Sequence, residues 1–396
     1  MLLRQATLPD GTIGDVRICS GLIDEVAPTI DAQPGEPVHD LTGYVLLSAP
    51  VEPHAHLDKA FLAERIDNPT GDLMGAILAM EANRHLVTVA DTIERAERAV
   101  RLLAANGVTV IRTHADTTPE NGLRSIEALL EVRQRTSHLV ELQICSLVGW
   151  PITGPAGADS RARLRDALEM GADLVGGCPH LDDDPAAANE VFLTIAADAG
   201  KGVDLHTDET LNPHMLALED LADRVLAMGF ALPVTASHCV SLGMQSTAVQ
   251  QRVAEKVAAA GISVIALPHT NLYLQGRDHH EAMPRGLTAI RALRAAGVNV
   301  AAGADNLQDP FNLVGKGDPL ETAALMVMAG HLLPADAYAT CSTAARRALG
   351  LTANDVAAGN TADLVAIRAG GVREAIAFQP SDRLVIRAGV PMPLGA

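Results

Sequence analysis

The pattern of apolar and polar positions divides the chain into two β-rich ends and a long, regularly alternating middle. Short apolar runs separated by turn signals such as Asp10-Gly11 and Ser20-Gly21 fill residues 1–48. Apolar runs at 364–368 and 384–387 show the same pattern near the other end. We therefore expect the two ends to build one small β-domain together.

The middle of the chain alternates β-branched runs with helical patterns rich in Ala, Leu, Arg and Glu. Helices are predicted at residues 92–105, 161–170, 186–199 and 248–260, and glycines such as Gly107 and Gly171 follow helical runs as C-terminal caps do. Strands are predicted at residues 44–47, 108–114, 140–148, 173–178, 203–206, 234–238, 264–267 and 298–302. Eight βα units of this kind predict an α/β fold closed as a TIM (β/α)8 barrel.

Composition and charge narrow the range of partners. The formal charge of −18 argues against a nucleic-acid partner, because phosphate binding needs clustered Lys and Arg. Five cysteines form no Cys-x-x-Cys pair, which argues against a disulfide framework and favours a reducing compartment. The sequence shows neither a signal-peptide pattern nor an apolar stretch of membrane-spanning length. We predict a cytoplasmic protein without a membrane partner.

Side chains with metal-binding or catalytic chemistry recur where the predicted strands end. His54 and His56 follow the first predicted strand, and an extended backbone would point both imidazoles to the same side. Two ring nitrogens at that spacing can hold one divalent metal, although an isolated pair is as often structural. In a TIM barrel, catalytic residues lie at the carboxyl ends of the strands. The later strand ends carry His114, Asp116, His180, His206, Glu209, His238, His269 and Asp305.

Several of these stretches together resemble a known family over nearly the whole chain. They include Glu52-Pro53-His54-Ala55-His56-Leu57-Asp58, Arg112-Thr113-His114-Ala115-Asp116, His206-Thr207-Asp208-Glu209, Ser237-His238 and Asp305-Asn306. The chain resembles the amidohydrolase superfamily and, within it, the cytosine deaminase branch. The resemblance implies a barrel over residues 49–349 beside a small β-sandwich domain made of residues 1–48 and 350–396.

The resemblance also implies roles that the side-chain chemistry supports. One divalent ion, Zn²⁺ or Fe²⁺, would be bound by His54, His56, His206 and Asp305, with one position left for water. The metal would turn that water into a hydroxide that attacks the carbon of a C–N bond. Asp305 would accept the water's proton, His238 would orient the hydroxide, and Glu209 would carry protons to the ring and to the leaving amine.

Other polar residues leave two interpretations open. His114 and His180 could orient ligands or could be buried structural residues. Lys59 and Lys316 could meet an anionic substrate group or be ordinary loop residues. The fourth strand ends in Gly176-Gly177-Cys178-Pro179-His180, which lacks the Lys or Glu that bridges two metals in some superfamily members, so one metal is expected.

The substrate side departs from the cytosine deaminase pattern. Gly149 stands where those enzymes have a Gln that reads the pyrimidine edge. Asn306 replaces the second Asp at strand 8, as in N-isopropylammelide amidohydrolases, and Phe311 replaces a Trp. The loss of a hydrogen-bonding Gln side chain at position 149 can change substrate preference by orders of magnitude. Cytosine itself is therefore a doubtful substrate. We expect substrate contacts at Gly149, His180, Asn306 and Phe311.

Three functions fit these observations, and they follow here in decreasing order of support from the sequence. The first is a metal-dependent hydrolase that releases ammonia or an amine from a small nitrogen heterocycle. The second is a ring-opening hydrolase of cyclic amides, similar to dihydroorotase and hydantoinase. The third is a non-catalytic barrel that binds a metal or ligand. Family resemblance also favours a homo-oligomer.

Overall fold

The structure, a computed structural model, describes residues 1–352 and 354–392, and its centre is a parallel barrel. Each barrel strand is hydrogen-bonded to the next one along the chain. Barrel strands 1 to 8 are Glu52–Ala55, Val110–Thr117, Glu141–Val148, Leu174–Gly177, Gly202–Thr207, Val234–His238, Ser263–Ala266 and Val300–Ala302. The predicted fold class, a TIM barrel with a small β-domain built from both termini, is confirmed, and the domain expected as a β-sandwich forms a mixed sheet.

The barrel closes through residues that later matter for the site. The Asp305 amide donates to the His54 carbonyl at 3.0 Å, and the His56 amide donates to the Asp305 carbonyl at 3.2 Å. These two bonds join the end of strand 1 to the segment after strand 8. His54, His56 and Asp305 are therefore held against one another by backbone alone.

Helices surround the barrel, and their buried faces follow the helical period. In the helix Val89–Ala105, the buried residues Ala96, Ala99, Val100 and Leu103 recur at helical spacing and pack on the barrel core. The other helices of the barrel region are Leu73–Ala82, Arg124–Thr136, Ala158–Met170, Pro185–Ala199, Ala217–Met228, Val240–Gly243, Thr247–Ala259, Pro268–Leu274, Ile290–Ala295, Pro319–Met328, Pro334–Thr340 and Thr343–Ala348. The four predicted helices are present with starts one to three residues earlier.

The two ends of the chain form a second, mixed sheet with its own apolar core, which includes Leu3, Ile18, Leu46 and Ile386. Its strands are Leu2–Thr7, Ile13–Cys19, Leu22–Ala27, Val38–Asp40, Val45–Ser48, Leu364–Ile367, Arg383–Arg387 and Val390–Pro391, with the helix Val372–Phe378 between two of them. The exact division at residues 48/49 and 349/350 stays a prediction.

One strand assignment was wrong. Residues 44–47 were predicted as barrel strand 1, but the strand Val45–Ser48 pairs with Leu364–Ile367 in the terminal sheet. The true strand 1, Glu52–Ala55, begins four residues after Ser48 and is short. All four residues are buried, but two of them, Glu52 and His54, are polar groups of the site, so the strand lacks an apolar pattern.

Within the described part of the chain, no helix is both long enough and apolar enough to span a membrane.

Candidate metal centre and active site

Four side chains from three parts of the barrel rim converge on one point. His54 Nε2 lies 3.2 Å from His206 Nε2, and His56 Nε2 lies 3.1 Å from the same atom. The Asp305 carboxylate oxygen Oδ1 is 3.1 Å from His56 Nε2 and 3.5 Å from His54 Nε2. All four candidate ligand atoms lie within 4.8 Å of one another, and all four residues are buried.

The chemistry of this group fits a divalent metal ion. Burial and neighbouring histidines hold the pKa of His54 and of His206 well below the ordinary value, so these rings are neutral and their nitrogen lone pairs converge. Neither Asp305 carboxylate oxygen has a hydrogen-bond partner among the described residues. Neutral imidazoles facing an unpartnered carboxylate in a buried site form a suitable ligand set for a metal such as Zn²⁺ or Fe²⁺.

Local backbone strain and one buried carboxyl group position these side chains. His238 and Asp305 have φ values of +68° and +66°, a left-handed conformation that is uncommon for residues with a side chain. The Glu52 carboxyl group accepts hydrogen bonds from the Ala304 and His54 amides, each at 3.1 Å. Glu52 therefore ties strand 1 to strand 8 directly beneath the ligands. Apart from its place in the motif, no feature of the sequence predicts this role of Glu52.

Two further groups stand beside the candidate ligands. The His238 nitrogen Nδ1 lies 3.0 Å from Asn271 Oδ1 and 3.5 Å from Glu209 Oε1, and its Nε2 lies 3.9 Å from Asp305 Oδ2. Burial, reinforced by the nearby Asp305, raises the pKa of Glu209 well above its usual range. This shift favours the protonated carboxyl group, which suits a group that donates and recovers protons.

A pocket of about 730 Å³, including its open mouth, lies in front of this cluster. Glu209, His238 and Asp305 line its inner end, and three predicted contact residues line its walls: Gly149, Asn306 and Phe311. The Asn306 amide is already engaged, because it donates to Asp309 at 2.7 Å and accepts from Thr270 at 3.2 Å. The outer walls are formed by Leu73, Ile77, Met80, Glu81, Arg84, Asp116, Thr118, Leu147, Val148, Trp150 and Leu181.

The two ambiguous histidines lie behind the pocket wall. The His180 nitrogen Nδ1 is 3.0 Å from the His206 carbonyl oxygen, and His180 is not among the residues that line the pocket. The His114 ring stacks on His54 with centroids 4.0 Å apart, and neither of its nitrogens has a hydrogen-bond partner in the described chain. His54, His114 and Asp204 form a second group of close metal-binding atoms, but Arg112 Nη1 lies 2.9 Å from Asp204 and neutralises it.

The two lysines considered in the sequence analysis differ in environment. Lys59 is buried, with its Nζ 2.6 Å from Asp116 Oδ1 and 3.0 Å from His56 Nδ1. Arg84 completes this charged group through a 3.1 Å contact with Asp116. Lys316 is exposed and donates to Gln379 at 2.8 Å, away from the pocket. Arg84 was not predicted as a site residue, because nothing in its local sequence pattern distinguishes it from a surface arginine.

The segment after strand 4 carries no bridging ligand. A Cβ on Gly176 would lie 2.5 Å from Cys145 Sγ, and one on Gly177 would lie 2.2 Å from the Phe192 ring, so both positions require glycine.

Burial raises the pKa of Cys239 well above its usual range, which keeps this thiol neutral and unreactive. The barrel and the cluster of His54, His56, His206 and Asp305 define a metal-dependent hydrolase.

Comparisons with known proteins agree with this class. The amidohydrolase family model matches residues 62–392. A pterin deaminase of Rhizobium rhizogenes is 35% identical over 382 residues, which cover 95% of this chain and 86% of the relative. The structure of 5-methylcytosine deaminase from Klebsiella pneumoniae with phosphonocytosine superposes with a TM-score of 0.90 at 30% identity, covering 100% and 98% of the two chains. N-isopropylammelide isopropylaminohydrolase from Burkholderia multivorans superposes with a TM-score of 0.85 at 29% identity, covering 98% and 97%.

The chain belongs to the amidohydrolase family, and the resemblance seen in the sequence is confirmed. It is a metal-dependent hydrolase of the deaminase type. Such an enzyme acts on carbon–nitrogen bonds that are not peptide bonds, here those of heterocycles.

Proposed function

We propose that the protein hydrolyses the exocyclic amine of a two-ring, 2-amino-4-oxo heterocycle of the pterin class. The observation that carries this proposal is the pocket, which keeps Glu209 and His238 at its inner end but has no side chain at Gly149. Beyond these residues the pocket is lined by apolar side chains, among them Ile77, Met80 and Trp150, which offer contacts for a second ring beyond a pyrimidine-sized one. The 35% sequence identity to a pterin deaminase, over 95% of the chain, supports the same substrate class.

The ion would be held by His54, His56, His206 and Asp305, and either Zn²⁺ or Fe²⁺ suits this ligand set. When bound, such an ion lowers the pKa of a water molecule enough for it to attack at neutral pH. We assign Asp305 the role of taking a proton from the attacking water. His238 lies between Asp305 and Glu209 and would stabilise the oxygen as it adds to the substrate carbon.

Glu209 completes the proton balance. It would donate its proton to the ring nitrogen beside the amine-bearing carbon. The water proton taken up by Asp305 would go to the amine as the C–N bond breaks, and the second proton of the water would restore the Glu209 carboxyl group. One water is consumed, one ammonia leaves, and the carbon ends as a carbonyl. The raised pKa of Glu209 supports this role, because burial favours the protonated carboxyl group, and only that form can donate a proton.

Purified protein loaded separately with Zn²⁺ and with Fe²⁺ tests the proposal. Ammonia release is measured with pterin, cytosine and 5-methylcytosine, and isopropylamine release with N-isopropylammelide. We expect kcat/KM for pterin to exceed that for cytosine by at least 100-fold. Cytosine as the best substrate would overturn the proposal.

Gly149→Gln provides a matched test of the pocket. A Cβ at this position would meet Thr118 and Pro119 only at 3.6 to 3.7 Å, so the fold tolerates a side chain here. The longer Gln side chain would enter the pocket and occupy space for the second ring. We expect kcat/KM for pterin to fall at least tenfold while activity on a one-ring substrate falls less. An equal effect on both would contradict the assigned wall.

We further propose a cytoplasmic homo-oligomer that binds no nucleic acid. The net charge of −18 supports the absence of a nucleic-acid partner. Light scattering of the metal-loaded protein tests the oligomeric state, and a single-chain mass of 41.4 kDa would refute it.

A further inference from the structure

His54 is connected to a buried chain of polar groups behind the metal centre. Its Nδ1 lies 2.9 Å from Ser237 Oγ, and Ser237 Oγ lies 3.1 Å from Asp204 Oδ1. The other carboxylate oxygen of Asp204 accepts from Arg112 Nη1 at 2.9 Å. Ser237 and Asp204 are completely buried, and Arg112 is almost so.

The direction of the hydrogen bonds follows from the donor inventory. Arg112 can only donate, so it pairs with Asp204 in its carboxylate form, which can only accept. The single hydroxyl proton of Ser237 therefore goes to Asp204, and the Ser237 oxygen is left to accept the Nδ1–H of His54. A neutral imidazole with its proton on Nδ1 has a free lone pair on Nε2. That nitrogen is the one that faces His206 and Asp305.

Among the described residues, the other two histidines lack such a chain. The Nδ1 of His206 has no hydrogen-bond partner, and the Nδ1 of His56 faces the Lys59 ammonium group at 3.0 Å. His54 is also restrained on its flat side by the His114 ring, 4.0 Å away and inclined by 30°. The hydrogen bond and the stacked ring together leave the His54 imidazole one orientation.

We propose that Ser237 and Asp204 are positioning residues for the metal, which act by holding His54 as the tautomer and in the orientation that binds it. Hydrogen-bond partners behind a metal-binding histidine commonly strengthen metal affinity 10- to 100-fold. The proposal rests on the proposed metal site but not on the identity of the substrate. Ser237 and Asp204 would increase the metal affinity of the site, although neither would touch the ion.

Zinc affinity tests the proposal without any substrate. Ser237→Ala removes the acceptor for Nδ1–H, and Ser146→Ala is the matched control. Ser146 is a completely buried serine of barrel strand 3 that bonds Thr117 at 3.0 Å and lies outside the candidate ligand group. In a titration against a fluorescent chelator, we expect the zinc Kd of Ser237→Ala to rise about 10- to 100-fold. That of Ser146→Ala should stay within threefold of the unmodified protein.

A second variant separates positioning from folding. Ser237→Thr keeps the hydroxyl group and should recover most of the zinc affinity, while the metal-free Ser237→Ala and Ser146→Ala proteins should melt at similar temperatures. A zinc Kd for Ser237→Ala within threefold of the Ser146→Ala value would overturn the proposal. Failure to hydrolyse pterin would leave the zinc result unchanged, so the two proposals fail separately.

Discussion

Replacing His180 with Asn is predicted to make the metal-free protein more resistant to acid. The Nδ1–H of His180 donates to the His206 carbonyl at 3.0 Å, and an Asn amide can supply a donor at a similar position. The His180 Nε2 is buried without a hydrogen-bond partner among the described residues. Burial is the largest cause that lowers the pKa of His180, to about 4 in the folded state.

The sign follows from comparing the folded and unfolded states. The unfolded pKa of about 6.5 lies above the folded value, so the unfolded chain binds the proton first as the pH falls. Above pH 6.5, His180 therefore has little effect on the free energy of unfolding. As the pH falls through 6.5 towards 4, it increasingly lowers that free energy. Between pH 7.5 and 5.0, this linkage removes about 2 kcal/mol from the free energy of unfolding.

Urea unfolding of chelator-treated protein at pH 7.5 and pH 5.0 measures the effect. The unmodified protein should lose about 2 kcal/mol more between these pH values than His180→Asn does. His279→Asn, in an exposed loop, is the control and should behave like the unmodified protein. Because the metal is absent from all three proteins, titration of the other buried histidines is common to them. An equal pH dependence in all three would refute the assigned burial of His180.

Two further predictions concern catalysis and packing. Glu209→Gln cannot carry a proton, so kcat for ammonia release should fall about 10²- to 10⁴-fold, whereas Glu81→Gln, at an exposed position of the same pocket, should stay within threefold. A loss of less than tenfold in Glu209→Gln would exclude its proton role. Gly177→Ala places a Cβ 2.2 Å from the buried Phe192 ring and should lower the free energy of unfolding in urea by about 1 to 3 kcal/mol. Gly371→Ala enters open space and should change it by less than about 1 kcal/mol, and similar values for both would contradict the packing at Gly177.

The barrel could be predicted because its signals are local and repeated. Each helical run is followed by a glycine or a turn, and positions such as Gly107 and Gly171 adopt φ values of +99° and +126° in the structure. The assignment of residues 44–47 failed because an apolar run carries no information about which sheet it joins. Val45–Ser48 is buried on both faces in the terminal sheet, and a buried barrel strand has the same composition.

The convergence of the candidate ligands could be predicted for a topological reason. Parallel strands all end on the same rim, so His54 and His206 meet at 3.2 Å although they are 152 residues apart. The partners behind them could not be predicted. Arg84 reaches Asp116 from a short 3-10 turn, Arg84–Leu86, whose path is set by the packing of the preceding helix. Ser237 lies on strand 6, Asp204 on strand 5 and His54 on strand 1, so their contacts join three strands and have no local sequence signal.

The same distinction explains why the sequence predicts the reaction better than the substrate. The candidate ligands lie on strands or are tied by backbone bonds such as that from the Asp305 amide to the His54 carbonyl, so their positions follow from the fold. Much of the outer pocket wall comes instead from loops and from the helix Leu73–Ala82, which contributes Leu73, Ile77 and Met80. Where these residues point depends on loop conformations that the strand and helix pattern does not specify. A single change there, such as Gly149→Gln, can therefore alter substrate preference while the metal chemistry stays intact.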